Sequence, residues 1–301
     1  MALEGERLTP VPEDAVRSPG AAALPLLFLL AALLSQYVGA AFAKTLFPQA
    51  GADGVTALRI GISALLLVAI WRPWRGPRLD RRSLRAVATY GVMLGAMNFS
   101  IYRAMELIPI GLAVAIEVAG PLVVALSGCR RAVDLLWVAL AVTGLAILLP
   151  VDTGAGSLDP VGVAWAGAAA TCWALYIVFG KRASVLPAGQ AVTWGMLAAA
   201  LFVAPIGAVS AGAVLLAPEI LLIGAAVAVL SSVVPYLLEM LTLRRVSGSV
   251  FGLVISGAPA VAALVGFALL DERLDWLQWT AIACIVCASA GSTLGGRNAA
   301  R

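Results

Sequence analysis

The stretch Glu117-Val-Ala-Gly-Pro121-Leu-Val-Val-Ala-Leu126 returns later in the chain as Ile255-Ser-Gly-Ala-Pro259-Ala-Val-Ala-Ala-Leu264. A second pair surrounds two lysines: Ala41-Phe-Ala-Lys44 parallels Val178-Phe-Gly-Lys181, and a threonine follows each lysine twelve residues on, at Thr56 and Thr193. The separations are 137 residues for the lysines and 138 for the prolines, so the two matches lie nearly in register. Each is rich in common residues and would carry little weight alone. Their agreement in spacing marks two halves of one pattern.

Composition says what solvent those halves meet. Of 301 residues, 62% are hydrophobic and 12% charged, whereas a soluble domain carries about 25% charged residues. Mean hydropathy is +1.00. Apolar runs recur from residue 24 to residue 294, each long enough to cross a hydrocarbon core of roughly 30 Å. The mixed-charge, proline-containing tail over residues 1–23 reads as solvated and not as a cleavable signal, because the apolar run after it continues to Phe42. Cys129, Cys172, Cys284 and Cys287 lie in or beside apolar runs, so they read as small packing residues and not as a disulfide or metal framework. The chain has no histidine. Histidine metal sites, Ser/His/Asp triads and histidine general bases are excluded, while carboxylate and lysine chemistry is not. No cofactor or metal is expected.

Breaks between the apolar runs predict helices at 24–43, 55–71, 86–106, 109–127, 134–150, 160–180, 188–209, 219–241, 248–270 and 275–294. The shortest connection is the Ile108-Pro109 step. Sixteen of the twenty basic residues then fall on one side: Arg7 and Arg17, the cluster from Arg72 to Arg85, Arg130 and Arg131, Lys181 and Arg182, Arg244 and Arg245, and Arg297 and Arg301. Lys44, Arg59, Arg103 and Arg273 lie on the other side or a short way inside it. Cytoplasmic loops retain basic residues, so both termini are expected in the cytoplasm. The modest net charge of +4 follows from this orientation and gives no reason to expect nucleic acid as a partner.

Ten crossings in two halves give five per half, an odd number, so the second copy enters the membrane from the opposite face. The expected fold is an all-α membrane protein of ten transmembrane helices in two inverted five-helix repeats, 24–150 and 160–294, between cytoplasmic tails at 1–23 and 295–301. Inverted repeats characterise secondary transporters, whose halves surround a midplane site and expose it alternately to each side.

Charges within such helices cost roughly 2.5–3.5 kcal/mol on insertion scales and so tend to face a cavity or a partner. Glu117 lies about eight residues, or about 12 Å, into the fourth predicted helix and is the charge nearest the bilayer centre. It reads either as a carboxylate that meets a substrate ammonium or exchanges a proton, or as a buried partner of Arg59 or Arg103. Arg59 reads either as a receiver of a substrate carboxylate, in the two-pronged geometry guanidinium favours, or as a side chain snorkelling to the outer interface. Arg103 and Glu106, spaced i, i+3, are expected to pair with each other. Asn98 and Tyr102, one turn apart, and Tyr176 on the sixth helix are candidates to hydrogen-bond or enclose a ligand, whereas Trp165 and Trp173 fit ordinary packing. Glu239 reads as an anchor for the cytoplasmic end of its helix. Pro121, Pro235 and Pro259 interrupt backbone hydrogen bonding and can bend helices or expose carbonyls to a cavity.

Five segments together resemble a known family: Ala43-Lys-Thr-Leu-Phe-Pro48, Gly54-Val-Thr-Ala-Leu-Arg59, Ala115-Ile-Glu-Val-Ala-Gly-Pro121, Arg130-Arg-Ala-Val-Asp-Leu-Leu-Trp137 and Val234-Pro-Tyr-Leu-Leu-Glu-Met240. The chain resembles bacterial threonine and homoserine exporters of the drug/metabolite transporter superfamily, in the branch whose halves are called EamA domains. That resemblance implies the EamA-type fold, residence in the bacterial cytoplasmic membrane, and export of small amino acids driven by protons, with a homodimer left open. The family tends to carry Glu-Pro in the ninth helix where this chain has Ala258-Pro259. The expected site is therefore asymmetric, with Glu117 alone carrying any carboxylate role. Alternatives are an exporter of drugs, purines or other metabolites on the same fold and, more remotely, an intramembrane enzyme or a passive channel. The sequence offers no nucleophile-base pair to support an enzyme.

Overall fold

The structure, a computed structural model, describes residues 19–76, 79–126, 132–148, 158–183, 186–235, 238, 251 and 254–299. Among them there is helix and no strand. The helices are α1 (Pro19–Thr45), α2 (Phe47–Trp71), α3 (Arg81–Leu107), α4 (Ile110–Glu117), α5 (Ala119–Leu126), α6 (Ala132–Leu148), α7 (Pro160–Ala183), α8 (Ala188–Ala211), α9 (Pro218–Ala228), α10 (Ala258–Leu270) and α11 (Trp276–Ala299). A 3-10 turn, Gly212–Leu216, joins α8 to α9, and a π-helical turn, Val229–Val233, continues α9. The expectations for Arg7, Arg17, Arg78, Cys129, Arg130, Arg131, Glu239, Arg244, Arg245 and Arg301 lie outside the described residues.

Local chemistry explains where the helices start and break. The Asp80 side chain caps α3 by accepting the Ser83 N–H at 2.8 Å, and hydrogen bonding from the Ser83 side chain and backbone lowers the Asp80 pKa. The second helix begins at Phe47, earlier than its apolar run at 55–71 suggests. Pro48 fits the first turn, and Gly51, at φ +65°, supplies a left-handed kink after which the helix continues. The run at 109–127 is two helices, α4 and α5, meeting at Val118. Pro121 has no N–H to offer the turn before it, so the backbone yields there.

The distribution of polarity is the reverse of a soluble protein's. Large apolar side chains such as Leu65 (69% exposed) and Val209 (88%) face outward, while Asp53, Arg59, Asn98, Glu117 and Gln190 are buried. An exterior this apolar is stable only in lipid, where backbone groups must be satisfied internally, as they are in helices. Four segments, Pro25–Thr45, Phe47–Arg75, Pro160–Gly180 and Gly189–Leu216, are long and apolar enough to cross a membrane; shorter apolar helices include Ile110–Val124 and Ala258–Leu270. The arrangement is that of a helical membrane protein.

Helix α3 packs on α7 and α8, α2 on α8 and α9, α4 on α7 and α10, α1 on α10 and the π turn, and α6 on α11. Small residues permit the closest approaches. A Cβ on Gly39 of α1 would collide with the Ser231 Oγ and lie 2.9 Å from the Ser231 backbone nitrogen.

Two ion-pair clusters close one end of the bundle. Lys44 Nζ meets Glu272 Oε1 at 2.7 Å and donates to the Ile108 carbonyl at 3.1 Å, while Glu272 Oε2 accepts the Ile110 N–H at 2.9 Å. The end of α1, the α3–α4 connection and the loop after α10 are thereby tied together. Nearby, Arg103 pairs with Asp53 at 2.6 Å and more loosely with Glu106 at 3.4 Å. The i, i+3 pair is present, but the shorter bond runs from α3 to α2, because Asp53 on the first turns after the Gly51 kink presents a buried carboxylate to Arg103.

Both features yield measurable expectations. A double-mutant cycle with Lys44→Met and Glu272→Gln, read by thermal unfolding in detergent, should give a coupling of about 1–2 kcal/mol, because the pair is partly buried and each partner also holds a backbone group. Gly39→Ala should destabilise the protein by about 1–3 kcal/mol, the cost of overpacking a close helix contact, whereas alanine at the open Gly61 should be tolerated.

Candidate functional site

Four of the candidate residues converge. On α3, Asn98, Ile101, Tyr102 and Met105 follow i, i+3, i+4, i+7 spacing and so share one face. That face lines a cavity enclosing about 500 Å³ of empty space, its open mouth included. Gln36 and Tyr37 of α1, Arg59 of α2 and Glu117 at the end of α4 complete most of the wall, and Trp173 and Ser231 are the contribution of the second half of the chain. Tyr176 lies elsewhere. Its ring stacks at 4.9 Å on Tyr90, and the two hydroxyls are 3.2 Å apart. It packs α7 against α3 and does not line this cavity, because it sits one turn beyond Trp173 on its helix.

Arg59 is buried at 7% exposure and does not snorkel. Its Nε donates to Ser232 Oγ at 3.2 Å and its Nη2 to the Ser231 carbonyl at 3.3 Å, and the guanidinium lies 5.0 Å from the centre of the Tyr102 ring. The carbonyl is available for a local reason. Pro235 lacks an N–H, and the π turn before it leaves carbonyls that neighbouring helices satisfy: Ser35 Oγ binds that of Leu230 at 2.8 Å, and Arg59 takes that of Ser231. Nη1 of Arg59 makes no hydrogen bond among the described residues.

Glu117 is equally buried at 7%. Among the described residues its carboxylate has no hydrogen bond and no ion pair within 4 Å, and Arg59 lines the same cavity. Arg103 is occupied with Asp53 and is not its partner. The Asn98 amide donates to the Leu94 carbonyl at 2.8 Å, which leaves its oxygen toward the cavity wall. Two of the lining residues bury their hydroxyls without a hydrogen-bond partner among the described residues, Tyr102 Oη and Ser231 Oγ, the latter turned toward Gly39 of α1.

Among the described residues the cavity thus holds one cation and one anion in a wall of mixed polarity, with the cation anchored to the second half and the anion unengaged. Such a site can receive a small molecule bearing both charges. Asp53, Gln36, Ser231 and Ser232 were not singled out in the sequence, since single serines and glutamines are unremarkable in apolar helices. The signal that could have pointed to the serines is Pro235, whose missing N–H lies one turn beyond them. Among the described residues no group of His, Cys, Asp or Glu could hold a metal.

Known proteins agree with this architecture. The threonine/homoserine exporter RhtA of Salmonella typhimurium strain LT2 is 46% identical over 271 residues, 90% of this chain and 92% of that one, and the exporter of the same name from Escherichia coli strain K12 is 45% identical over the same extent. A crystal structure of a protein 22% identical superposes with a TM-score of 0.60 over 94% of this chain and 99% of its own, a likeness of fold alone. The EamA-like transporter family matches residues 160–294. With a relative at this identity over nine-tenths of its length, the chain belongs to the EamA-like transporter family.

Proposed function

We propose that the protein exports small amino acids, threonine and homoserine among them, across the bacterial cytoplasmic membrane by alternating access, with Glu117 carrying the coupling proton or facing the substrate ammonium and Arg59 facing the substrate carboxylate. The observation that carries this is the pairing of Glu117 and Arg59 on one cavity wall without a bond between them. A zwitterion presents both charges on one carbon, and an unengaged carboxylate with a guanidinium that has Nη1 to spare complements both. Threonine and homoserine, for which the relatives are named as exporters, fit the same chemistry. Asn98 and Tyr102 complete the polar wall.

The export cycle rests on ten crossings in inverted halves. Packing supports that reading: the contact of α3 with α7 is matched by that of α1 with the π turn and α9, the contact of α4 with α7 by that of α10 with α1, and α2–α8, α4–α10 and α6–α11 are each contacts between corresponding helices. The asymmetric distribution of lysine and arginine supports an orientation with both termini in the cytoplasm and the Lys44–Glu272 cluster outside.

In vesicles preloaded with labelled threonine, Glu117→Gln should reduce proton-driven efflux by at least tenfold and flatten its pH dependence. Efflux and pH dependence identical to the unmodified protein would remove Glu117 from the mechanism. For topology, in a cysteine-free background, Asp271→Cys should react with an impermeant thiol reagent from outside intact cells and Arg75→Cys only after permeabilisation. Labelling of both from one side would overturn the inverted arrangement.

A further inference from the structure

The Lys44–Glu272 pair lies one helical turn beyond the cavity and joins the two halves of the chain. Ala40 of the cavity wall is one turn from Lys44 on α1, and Met105 of that wall is three residues short of Ile108, whose carbonyl Lys44 holds. Leu46, Phe47, Ile108, Ile110 and Leu112 are buried at this end of the bundle, and the Phe47 ring packs 5.9 Å from that of Tyr102. Among the described residues this end is shut. A solute leaving through it requires the α3–α4 connection to part from its neighbours. Lys44 and Glu272 grip that connection on both sides, at the Ile108 carbonyl and the Ile110 N–H.

The same parts recur in the other half of the sequence. Lys44 corresponds to Lys181 at a separation of 137 and Glu272 to Asp134 at 138, the spacings that align the two halves elsewhere. Gly266 seats Glu272: its carbonyl accepts the Glu272 N–H at 3.2 Å, and a Cβ on it would collide with the carboxylate. Its counterpart in sequence, Gly128, precedes Asp134 by the same six residues. Lys181 stands in the last turn of α7 as Lys44 does in the last turn of α1, and Asp134 stands in the first turn of α6. The packing corresponds as well, since α5 lies on α7 as α10 lies on α1.

We infer that these four residues form two alternating latches: Lys44 with Glu272 closes the outer end, and Lys181 with Asp134 closes the cytoplasmic end when the outer pair has parted. The inference rests on the reading of the protein as an alternating-access exporter, and it adds which bonds the cycle breaks and makes. A bond made in only one state biases the equilibrium by its own strength, so loosening either latch shifts the population away from the state it closes.

In intact cells and a cysteine-free background, Ala40→Cys reports access to the cavity through its rate of reaction with an impermeant thiol reagent added outside. Glu272→Gln and Lys44→Met should each raise that rate about tenfold, and Asp134→Asn and Lys181→Met should each lower it about tenfold. A general loss of packing would not give opposite signs. An unchanged rate in the outer-pair variants overturns the outer latch, and an unchanged or raised rate in the inner-pair variants overturns its counterpart. Met105→Cys serves as the reporter where Ala40→Cys does not reach the membrane. In the same background, Lys44→Cys with Glu272→Cys, joined by a cleavable bifunctional thiol reagent, should lose efflux of labelled threonine from proteoliposomes by at least tenfold and regain it on cleavage. Full efflux while joined overturns the outer latch and leaves export standing. No threonine efflux from the unmodified protein overturns the export reading, while the labelling rates still decide the latches.

Discussion

A guanidinium and a carboxylate held inside a lipid-facing bundle set the terms for every helix around them. Lipid offers no water to either group, so each must find protein, a ligand or a proton. Arg59 finds protein: the Ser232 hydroxyl, the Ser231 carbonyl that Pro235 leaves free, and the face of Tyr102. Glu117 finds none among the described residues, although it is as deeply buried. The difference divides the site into a fixed cation, fastened across the two halves of the chain, and an anion whose requirement is unmet until something enters. The break between α4 and α5 at Val118 sets Glu117 at a helix end, where backbone and side chain can adjust more readily than in mid-helix.

Asymmetry follows from the same facts. Ten of the cavity's lining residues come from before residue 150, and only Trp173 and Ser231 from after it. Where the first half has Glu117 four residues before Pro121, the second has Ile255 four residues before Pro259. The second half therefore contributes Trp173 to the wall and the Ser231–Ser232 turn that holds Arg59, in place of a second carboxylate. One half supplies the charge chemistry and the other holds it in place.

Much of this was legible from apolar runs interrupted by single polar residues, because lipid makes any such residue conspicuous. Glu117, Arg59, Asn98 and Tyr102 stood out for that reason, and they do share a cavity. Tyr176 looked equivalent by the same criterion, yet one helical turn directs it to Tyr90. The ion pairs were harder to foresee. Lys44 and Glu272 are separated by 228 residues, and Asp53 lies in a stretch that read as a loop before the Gly51 kink allowed it to be helix. Charge pairing across a fold depends on where distant helix ends meet, and no local pattern records that. The π turn was hidden too, since Ser231 and Ser232 have ordinary neighbours and only Pro235 hints at a disturbed backbone.

The pairing of Arg103 with Asp53 bears on how the chain is made. During synthesis α2 emerges before α3, and long before the π turn, so it enters the bilayer carrying Asp53 and Arg59 while Arg103, Ser231 and Ser232 do not yet exist. An unpaired charge weighs up to roughly 2.5–3.5 kcal/mol against insertion at the centre of a helix, and although Asp53 lies near the end of α2, the remaining apolar side chains of that helix must outweigh both charges until their partners arrive. The early helix is thus committed to the membrane on the strength of Leu65 and its apolar neighbours alone, and the ribosome's later output completes the neutralisation.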